Sequence, residues 1–326
     1  MGQINFSFRY IYIAIPTTLL FLFISEQSSA RGYEVDILRE TFKYSAQSKR
    51  SVSLQDIHQG CAKVNCIQSI DSPEFARVDE YNEFRNRDIM FVLTYRGETK
   101  IYPKQIMQLH EVVNDKFNGE PVVMTYCPLC GSVVAFIPKI ENQYTHLGVS
   151  GLLHNSDLIL YDKITYSLWQ QVTGKAIVGP QTGNRLPIIS SGIGTWEEVQ
   201  HSYPKAKVLK FPPGSRKRYR KPLYGNYENT NKLMFPVSAT DARLAGKTFV
   251  YGIEIEGRYL ALEETYLKRK RFHVETFADR VIRVELEKGQ VKAFEAKTQE
   301  EFKVIRLYWF AWFAFHPTTE LRKTPL

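Results

Sequence analysis

Two cysteines three positions apart lie between two runs of strand-forming residues, and this pattern constrains the local chain path strongly. The segment reads Tyr126-Cys127-Pro128-Leu129-Cys130-Gly131-Ser132. It follows the apolar run 122–126 and leads into the β-branched run 132–137. Such runs, when Pro and Gly separate them, predict two strands joined by a tight turn. The sequence therefore predicts a β-hairpin with both thiols at its turn.

A Cys-x-x-Cys pair can close a structural disulfide, bind a soft metal ion such as Cu or Zn, or cycle between dithiol and disulfide. In thioredoxin-like proteins the first cysteine begins a helix, whose dipole stabilises the thiolate. The strand predicted after Gly131 provides no such dipole. All three possibilities stay open for Cys127 and Cys130.

The segment before the hairpin predicts further regular structure. We expect strands over 90–95 and 99–102 and a helix from Pro103 to Asn114, which together with the hairpin give a β-β-α-β-β unit. A similar pattern without cysteines recurs from Phe249 to Phe294. The predicted fold class is α+β and β-rich, with antiparallel or mixed sheets, a few short helices and two diverged β-β-α-β-β halves.

Polar residues near the end of the predicted helix are candidates for chemistry. His110 and Asn114 would share one helix face, and Glu111 would share the neighbouring face with Asp115. A histidine held by a carboxylate can act as an acid or base, or bind a metal. The alternative is a solvated helix end. The predicted catalytic group is Cys127, Cys130, His110 and Glu111.

A second polar cluster follows a glycine-rich stretch at 148–151. We expect it to bind a small ligand, together with Asn114 and a nearby tryptophan; the cluster and the tryptophan are Asn155, Ser156, Asp157 and Trp169. Near the C-terminus the aromatic run 307–315 predicts a buried strand that ends at His316. A closed Zn site needs four ligands, and the predicted set is Cys127, Cys130, His110 and His316.

The N-terminus and the remaining cysteines indicate a compartment. Residues 1–30 combine one arginine, an apolar run and the small residues Ser28-Ser29-Ala30, which is typical of a secretory signal peptide. An exported chain meets oxidising conditions, so Cys61 and Cys66 are expected to form a disulfide. The predicted location is periplasmic or secreted, with no stable membrane span once the signal is cleaved.

Charge and domain boundaries complete the prediction. Lys and Arg exceed Asp and Glu by 9, and five of the seven residues at 215–221 are basic. Because Pro and Gly bracket this run, we interpret it as an exposed loop and predict no nucleic-acid partner. The predicted organisation is a signal peptide at 1–30, a lead-in at 31–66, a first half with the cysteine motif at 67–200, a basic linker at 201–245 and a degenerate second half at 246–326.

Several of these motifs occur together in one known family. The string from Thr125 to Ser132, the pattern His110-Glu111-x-x-Asn114-Asp115, the segment Gly148-Val149-Ser150-Gly151-Leu152 and the aromatic block near His316 resemble the domain-of-unknown-function 3179 family. The resemblance runs from about residue 70 to about residue 317. It implies an exported bacterial protein and groups the cysteine pair, His110, the 155–157 loop and His316 in one pattern, but it implies no particular activity.

Three functional hypotheses follow from the sequence. The first is a thiol site that binds a soft metal ion, Cu or Zn, or cycles redox state with a redox partner, assisted by His110. The second is a non-catalytic module for a small extracytoplasmic ligand, in which Cys127 and Cys130 form a permanent disulfide. A third class, an enzyme that uses His110 and a carboxylate, also fits the residues. Whether the chain is an enzyme stays open at this point.

Overall fold

The structure is a computed structural model that describes residues 35–221 and 223–325, together with Gly2. The predicted signal peptide, Gly2 apart, lies outside the described residues.

Short strands make up most of the regular structure. In chain order they are β1 Ile57–Gln59, β2 Phe75–Arg77, β3 Ile89–Tyr95, β4 Glu98–Pro103, β5 Val112–Phe117, β6 Glu120–Cys127, β7 Ser132–Phe136, β8 Lys139–Ile140, β9 Gln143–Tyr144, β10 Leu147–His154, β11 Asp157–Asp162, β12 Leu168–Gln170, β13 Ala176–Val178, β14 Ile188–Ile189, β15 Gly192–Thr195, β16 Lys207–Leu209, β17 Phe249–Ile255, β18 Arg258–Glu263, β19 Phe272–Phe277, β20 Arg280–Glu287, β21 Gln290–Glu295, β22 Glu301–Phe302, β23 Val304–Tyr308 and β24 Glu320–Arg322. The α-helices are α1 Lys104–His110, α2 Trp196–Ser202, α3 Arg216–Tyr219, α4 Glu264–Lys270 and α5 Trp309–Phe315. Single turns of other helix types are Ile37–Thr41, Leu54–Asp56, Val78–Glu80 and Tyr227–Asn229.

The largest sheet has eight strands and carries the cysteine motif. Its order is β24-β18-β17-β23-β7-β6-β5, with β14 paired to β7. Neighbouring strands are antiparallel except β18 and β24, which are parallel. A mixed sheet, β15-β3-β4-β16-β2, and two antiparallel sheets, β1-β10-β11-β12-β13 and β19-β20-β21-β22, accompany it. The prediction of a β-rich fold with antiparallel and mixed sheets and a few short helices is confirmed.

Two segments of the chain follow the same order of elements. In each, two strands lead into a seven-residue helix and then three more strands, β3 to β7 around α1 and β17 to β21 around α4. Each helix ends at a non-glycine residue in the left-handed region, Glu111 at φ 58° and Arg271 at φ 65°. The first segment contributes β5 to β7 to the eight-stranded sheet, and the second contributes β17 and β18.

Two predicted elements are wrong in their extent. The helix predicted over 103–114 ends at His110, because the left-handed conformation of Glu111 turns the chain and β-branched Val112 and Val113 enter β5. His110 and Asn114 therefore do not share a helix face. The aromatic run 307–315 is strand only to Tyr308 and then forms α5. A short apolar run does not distinguish a buried strand from a buried helix.

The segments predicted as lead-in and basic linker contain regular structure. Within residues 35–66, β1 pairs with β10, so this segment extends one of the sheets. Within the basic run, α3 buries Tyr219, and Arg216 forms a salt bridge with Glu83 at 2.7 Å. Among the described residues, no helix is both long and apolar enough to span a bilayer.

The main core cluster packs α5 against the eight-stranded sheet. Trp309 and Trp312 of α5 are fully buried there, in the same cluster as Cys127 and Cys130. The close approach of Trp312 requires a glycine beneath it, since a Cβ atom on Gly252 would lie 2.3 Å from the indole ring. This contact fixes the distance between helix and sheet.

We predict that Gly252→Ala lowers the free energy of unfolding by about 1–3 kcal/mol, because the added methyl group overpacks the core. Gly246→Ala is the matched control, since its Cβ atom would meet Phe310 at an ordinary 3.7 Å. Urea unfolding of both variants measures the difference. Equal stability of the two variants would contradict the packing described here.

Candidate metal site

The cysteine motif forms the turn of a hairpin, as predicted. Strand β6 ends at Cys127 and β7 begins at Ser132, and these two residues are paired across the turn. Gly131 adopts φ 60°, and a Cβ atom there would lie 2.8 Å from the ring of Phe249. A glycine is therefore needed for both the backbone conformation and the packing of the turn.

A second hairpin approaches the first from another sheet. Strands β10 and β11 pair His154 with Asp157, which leaves Asn155 and Ser156 as a two-residue turn. Both turn residues have positive φ, 52° and 62°, the conformation of a type I′ hairpin turn. The turn brings the carbonyl oxygen of Ser156 to 3.3 Å from the sulfur of Cys130.

The two turns bring together two thiols and one carboxylate. Sγ of Cys127, Sγ of Cys130 and a carboxylate oxygen of Asp157 all lie within 4.8 Å of one another. Both cysteines are free thiols, and all three side chains are buried. In the part of the chain that the structure describes, this is the one group of at least three His, Cys, Asp or Glu side chains so placed. We call it the Cys2Asp cluster.

One oxygen of the Asp157 carboxylate is held and the other is free. Oδ2 accepts hydrogen bonds from Nε2 of Gln170 at 2.6 Å and from the backbone N–H of Val172 at 3.0 Å. Oδ1 is buried and has no hydrogen-bond partner among the described residues. Buried polar atoms are nearly always partnered, so a bare oxygen beside two thiols is a ready ligand position for a cation.

Burial disfavours every negative charge in this region. It raises the pKa of both the Cys127 and the Cys130 thiol, and it raises the pKa of Asp157 to about 6. Burial also raises the pKa of nearby Glu111 to about 7, with the Asp157 charge adding to the effect. Without a compensating cation, both thiols therefore stay protonated, and the two carboxylates take up protons at a higher pH than carboxylates usually do.

Glu111 lies beside the cluster rather than at a solvated helix end. It lines a cavity of about 70 Å³ together with Cys127 and Tyr224. The Tyr224 hydroxyl donates a hydrogen bond of 2.9 Å to Oε1 of Glu111. The left-handed backbone that ends α1 turns this side chain inward, so a buried carboxylate faces the same cavity as one of the thiols.

The two predicted histidine ligands lie outside the Cys2Asp cluster. Both ring nitrogens of His110 are already engaged, with the Gln68 carbonyl and the Tyr219 hydroxyl, each at 2.7 Å. Burial lowers the pKa of His110. His316 packs between the rings of Tyr259 and Trp312, with centroids 4.0 and 4.2 Å away. Aromatic packing therefore holds His316 in place.

Of the residues predicted to bind a ligand, only Ser156 and Asp157 reach the thiols. Asn114 lies in β5, where its side chain hydrogen-bonds Asp71 and the backbone of Leu147. Asn155 accepts a hydrogen bond from the backbone of Ser238, and Trp169 donates one to Asp162. These three residues hold segments of the fold together.

Sequence reasoning missed Gln170, which orients the Asp157 carboxylate, and Tyr224, which binds Glu111. Gln170 lies in β12, for which no strand was predicted, and nothing in the sequence distinguishes it from its neighbour Gln171. The segment Pro222-Leu223-Tyr224-Gly225-x-Tyr227 also resembles the family, and this was the only signal available for Tyr224.

The Cys61–Cys66 disulfide is confirmed, with the two Cα atoms 6.1 Å apart. Cys61 also lines the cavity that Glu111 and Cys127 share. The two cysteine pairs therefore differ in state, since one is a partly exposed disulfide and the other a buried dithiol.

Comparison with known proteins gives one match. A family model described as Protein of unknown function (DUF3179) matches residues 64–319, which include the whole Cys2Asp cluster, Glu111 and Gln170. The resemblance seen in the sequence motifs is therefore confirmed. No curated protein and no solved structure matches the chain.

We predict that Cys127 and Cys130 react far more slowly with iodoacetamide in the folded, metal-free chain than in the urea-unfolded chain. Burial shields the sulfurs and raises the pKa of both thiols, which reduces the reactive thiolate. Mass spectrometry of labelled peptides over time measures both rates. Equally fast labelling of the folded chain would contradict the burial of the pair.

We also predict that His316 makes the chain less stable in acid. Burial lowers the pKa of His316 from 6.5 to about 3 in the folded chain, so the unfolded chain takes up a proton first as the pH falls below 6.5. Above pH 6.5 His316 does not reduce the free energy of unfolding. As the pH falls from 6.5 toward 3, the lowered pKa of His316 reduces this free energy by up to about 1.4 kcal/mol per pH unit. In urea titrations between pH 7 and 5, His316→Gln should lose less stability than the parent chain. Identical pH slopes would contradict the prediction.

Proposed function

The chain belongs to the DUF3179 family, and from the geometry of its site we propose that it binds one metal ion, Zn²⁺ in the first place, through Cys127, Cys130 and Asp157. The observation that carries this proposal is the Cys2Asp cluster itself, three buried acidic groups within 4.8 Å of one another. The bare Oδ1 of Asp157 supports it, because a cation would be its partner.

The donor set favours zinc over other common ions. Around a tetrahedral Zn²⁺, two thiolate sulfurs lie about 3.8 Å apart, and the upper limit of 4.8 Å on the distances within the cluster is compatible with that spacing. Thiolates select Zn²⁺ and Cu⁺ over Mg²⁺ or Ca²⁺, and a carboxylate ligand is better suited to Zn²⁺ than to the softer Cu⁺. Cu⁺ is therefore the competing ion.

Glu111 is the natural candidate for a fourth ligand position. It shares a cavity of about 70 Å³ with Cys127, and its charge interacts with that of Asp157. That volume accommodates a water molecule between the carboxylate and the cluster. A bound ion would thus be ligated by three protein groups and completed by Glu111 directly or through water.

Electrostatics favours a metal ion over a redox-active dithiol. Reactive cysteines lie at partly exposed sites that lower the thiol pKa, whereas burial raises the pKa of Cys127 and Cys130. The three side chains of the Cys2Asp cluster and Glu111 are four buried acidic groups. Ionising all of them costs free energy when no positive charge is nearby. A divalent cation supplies that charge, and metal binding then releases protons from the ligands.

We predict that the purified chain binds one equivalent of Zn²⁺ and that Cys127→Ser/Cys130→Ser abolishes this binding, because both soft ligands are lost. Asp157→Asn should weaken Zn²⁺ by about 10-fold or more, since an amide replaces the anionic ligand. Metal analysis after dialysis and competition with a chromophoric chelator measure stoichiometry and affinity.

The matched control is Cys61→Ser/Cys66→Ser, which removes the other cysteine pair and should retain one equivalent. Cobalt substitution adds a second readout, since Co²⁺ in the cluster should give a thiolate charge-transfer band that the control keeps. Loss of zinc in the control alone, or retention in Cys127→Ser/Cys130→Ser, would overturn the proposal.

We propose in addition that the chain is exported to an oxidising compartment. The signal-like pattern of residues 1–30 and the partly exposed Cys61–Cys66 disulfide support export, because such disulfides persist where thiols are oxidised. Cell fractionation with N-terminal sequencing tests it. A cytosolic chain that keeps residues 1–30 would contradict this assignment.

We infer further that residues 89–136 and 249–295 descend from one duplicated unit. Five successive elements of the first segment each lie the same number of residues before their counterparts in the second segment, which supports the inference. The elements are β3, β4, α1, β5 and β6, and their counterparts in the same order are β17, β18, α4, β19 and β20. The second segment has no cysteine, and Arg271 stands where the first has Glu111. Of the two copies, only the first contributes residues to the Cys2Asp cluster, whose third member, Asp157, lies outside both.

A further inference from the structure

The hairpin of β19 and β20 exposes an apolar patch at one edge of its sheet. Strand β19 is the edge strand of the sheet β19-β20-β21-β22, and β20 is its strand partner there. Phe272 and Val274 of β19 are 58% and 48% exposed, and Val281 of β20 lies on the same face at 44%. Phe272 is the most exposed large hydrophobic side chain that the structure describes. Single exposed hydrophobic residues are common, but neighbouring ones on one hairpin form a patch that a partner can cover.

The strand that corresponds to β19 in the other segment is covered. Strands β5 and β19 both follow the helix of their segment and pair with the next strand in the same register, so that Val112 and Asn114 correspond to Phe272 and Val274. Val112 and Asn114 are buried. The backbone N–H of Ile70 donates to the carbonyl of Val112 at 2.9 Å, and the N–H of Asn114 donates to the carbonyl of Ile70 at 2.8 Å. The free edge of β5 is therefore paired, and its outer face is packed.

This correspondence identifies the backbone groups that β19 leaves unpaired. Because Val112 and Asn114 direct their backbone groups away from β6, Phe272 and Val274 direct theirs away from β20. The N–H of Leu286 donates to the carbonyl of Arg271 at 2.9 Å, which agrees with this alternation. Among the described residues, no backbone group bonds to this outer edge of β19. A row of unpaired N–H and C=O groups on an edge strand is a template for one more strand.

We propose that β19 pairs with β19 of a second molecule of this protein, antiparallel, about a two-fold axis that passes through Val274. Val274 then lies opposite itself, and the two residues exchange both backbone hydrogen bonds. Phe272 lies opposite Thr276 of the partner subunit, so its outward backbone groups are also paired. The two four-stranded sheets become one sheet of eight strands, and the apolar patches meet across the axis.

Charge supports a second molecule in this orientation. Arg269, Lys270 and Arg271 directly precede β19, and Asp279 lies in the turn that follows it. All four side chains are exposed, and none forms a salt bridge within the part of the chain that the structure describes. Antiparallel pairing places the start of one β19 beside the end of the other, so the basic run of each subunit lies near the acidic turn of its partner. Parallel pairing would bring the two basic runs together.

The first test is sedimentation equilibrium of the full chain between about 1 and 100 µM. We expect a dimer with a Kd of about 10 µM or below. Val274→Lys should weaken the dimer by about tenfold or more, because two like charges would lie directly opposite each other on the axis. Val281→Lys is the matched control, since it places the same charge on the same exposed face one strand away from the edge. It should leave the Kd unchanged.

A cysteine variant tests the register. Val274→Cys should form a disulfide between subunits in oxidised glutathione, because opposed residues of a hydrogen-bonded pair have Cα atoms about 5.5 Å apart, within the range of a disulfide. In Val281→Cys the two new cysteines would lie on strands separated by two others, about 14 Å apart, and should not crosslink. Non-reducing electrophoresis distinguishes the two variants.

The contribution of the turn is measured separately. Asp279→Asn removes the charge and keeps a residue that tolerates the positive φ of 60° at this position. It should weaken the dimer several-fold at about 0.05 M salt. The difference from the parent chain should become smaller at about 0.5 M salt, because the ions screen exposed charges.

A chain that stays monomeric at about 100 µM would overturn the proposal. So would a dimer that Val274→Lys leaves intact, which would indicate another interface, or an equal loss in Val274→Lys and Val281→Lys. A dimer in which Val274→Cys fails to crosslink would contradict the register. These measurements need no metal ion, so they do not affect the zinc proposal, and they depend on the structural correspondence of β5 and β19 rather than on their common descent.

Discussion

The site depends on how the Asp157 carboxylate is held. Gln170 and the backbone of Val172 bind its Oδ2 oxygen, and this leaves Oδ1 without a partner among the described residues, in a carboxylate that lies within 4.8 Å of the two sulfurs. Gln170 also binds His154 at 2.7 Å, so the orienting amide is itself fixed by a second side chain. Such hydrogen bonds to a ligating side chain fix its orientation, so that the metal site keeps its binding geometry in the absence of the ion.

This arrangement needs two hairpins from two different sheets. The cysteine turn projects from the eight-stranded sheet, and the turn at 155–156 projects from the antiparallel sheet of β10 and β11. Both turns use positive φ angles, and both are buried rather than exposed to solvent. The charge of a bound ion and the charges of its ligands would therefore interact in a medium of low dielectric constant, where they compensate one another strongly.

The sequence predicted local structure well and long-range proximity poorly. Turn residues and β-branched runs identified the cysteine hairpin, because backbone preferences act over a few residues. The helix was extended too far, since Leu109, Val112 and Val113 fit a helical stripe and no glycine marks the left-handed residue at Glu111. Asp157 was predicted as a ligand-binding residue, but its place beside Cys127 and Cys130 depends on packing between sheets. His110 and His316 were assigned as metal ligands on residue type, and tertiary contacts engage them elsewhere.

The most direct test of the metal centre is X-ray absorption at the zinc edge of the loaded chain. We predict two sulfur ligands at about 2.3 Å and one or two oxygen ligands at about 2.0–2.2 Å. The spectrum should lack the multiple scattering of imidazole, because neither His110 nor His316 belongs to the Cys2Asp cluster. A first shell without sulfur, or one that contains histidine, would contradict the assignment of the ion to Cys127, Cys130 and Asp157.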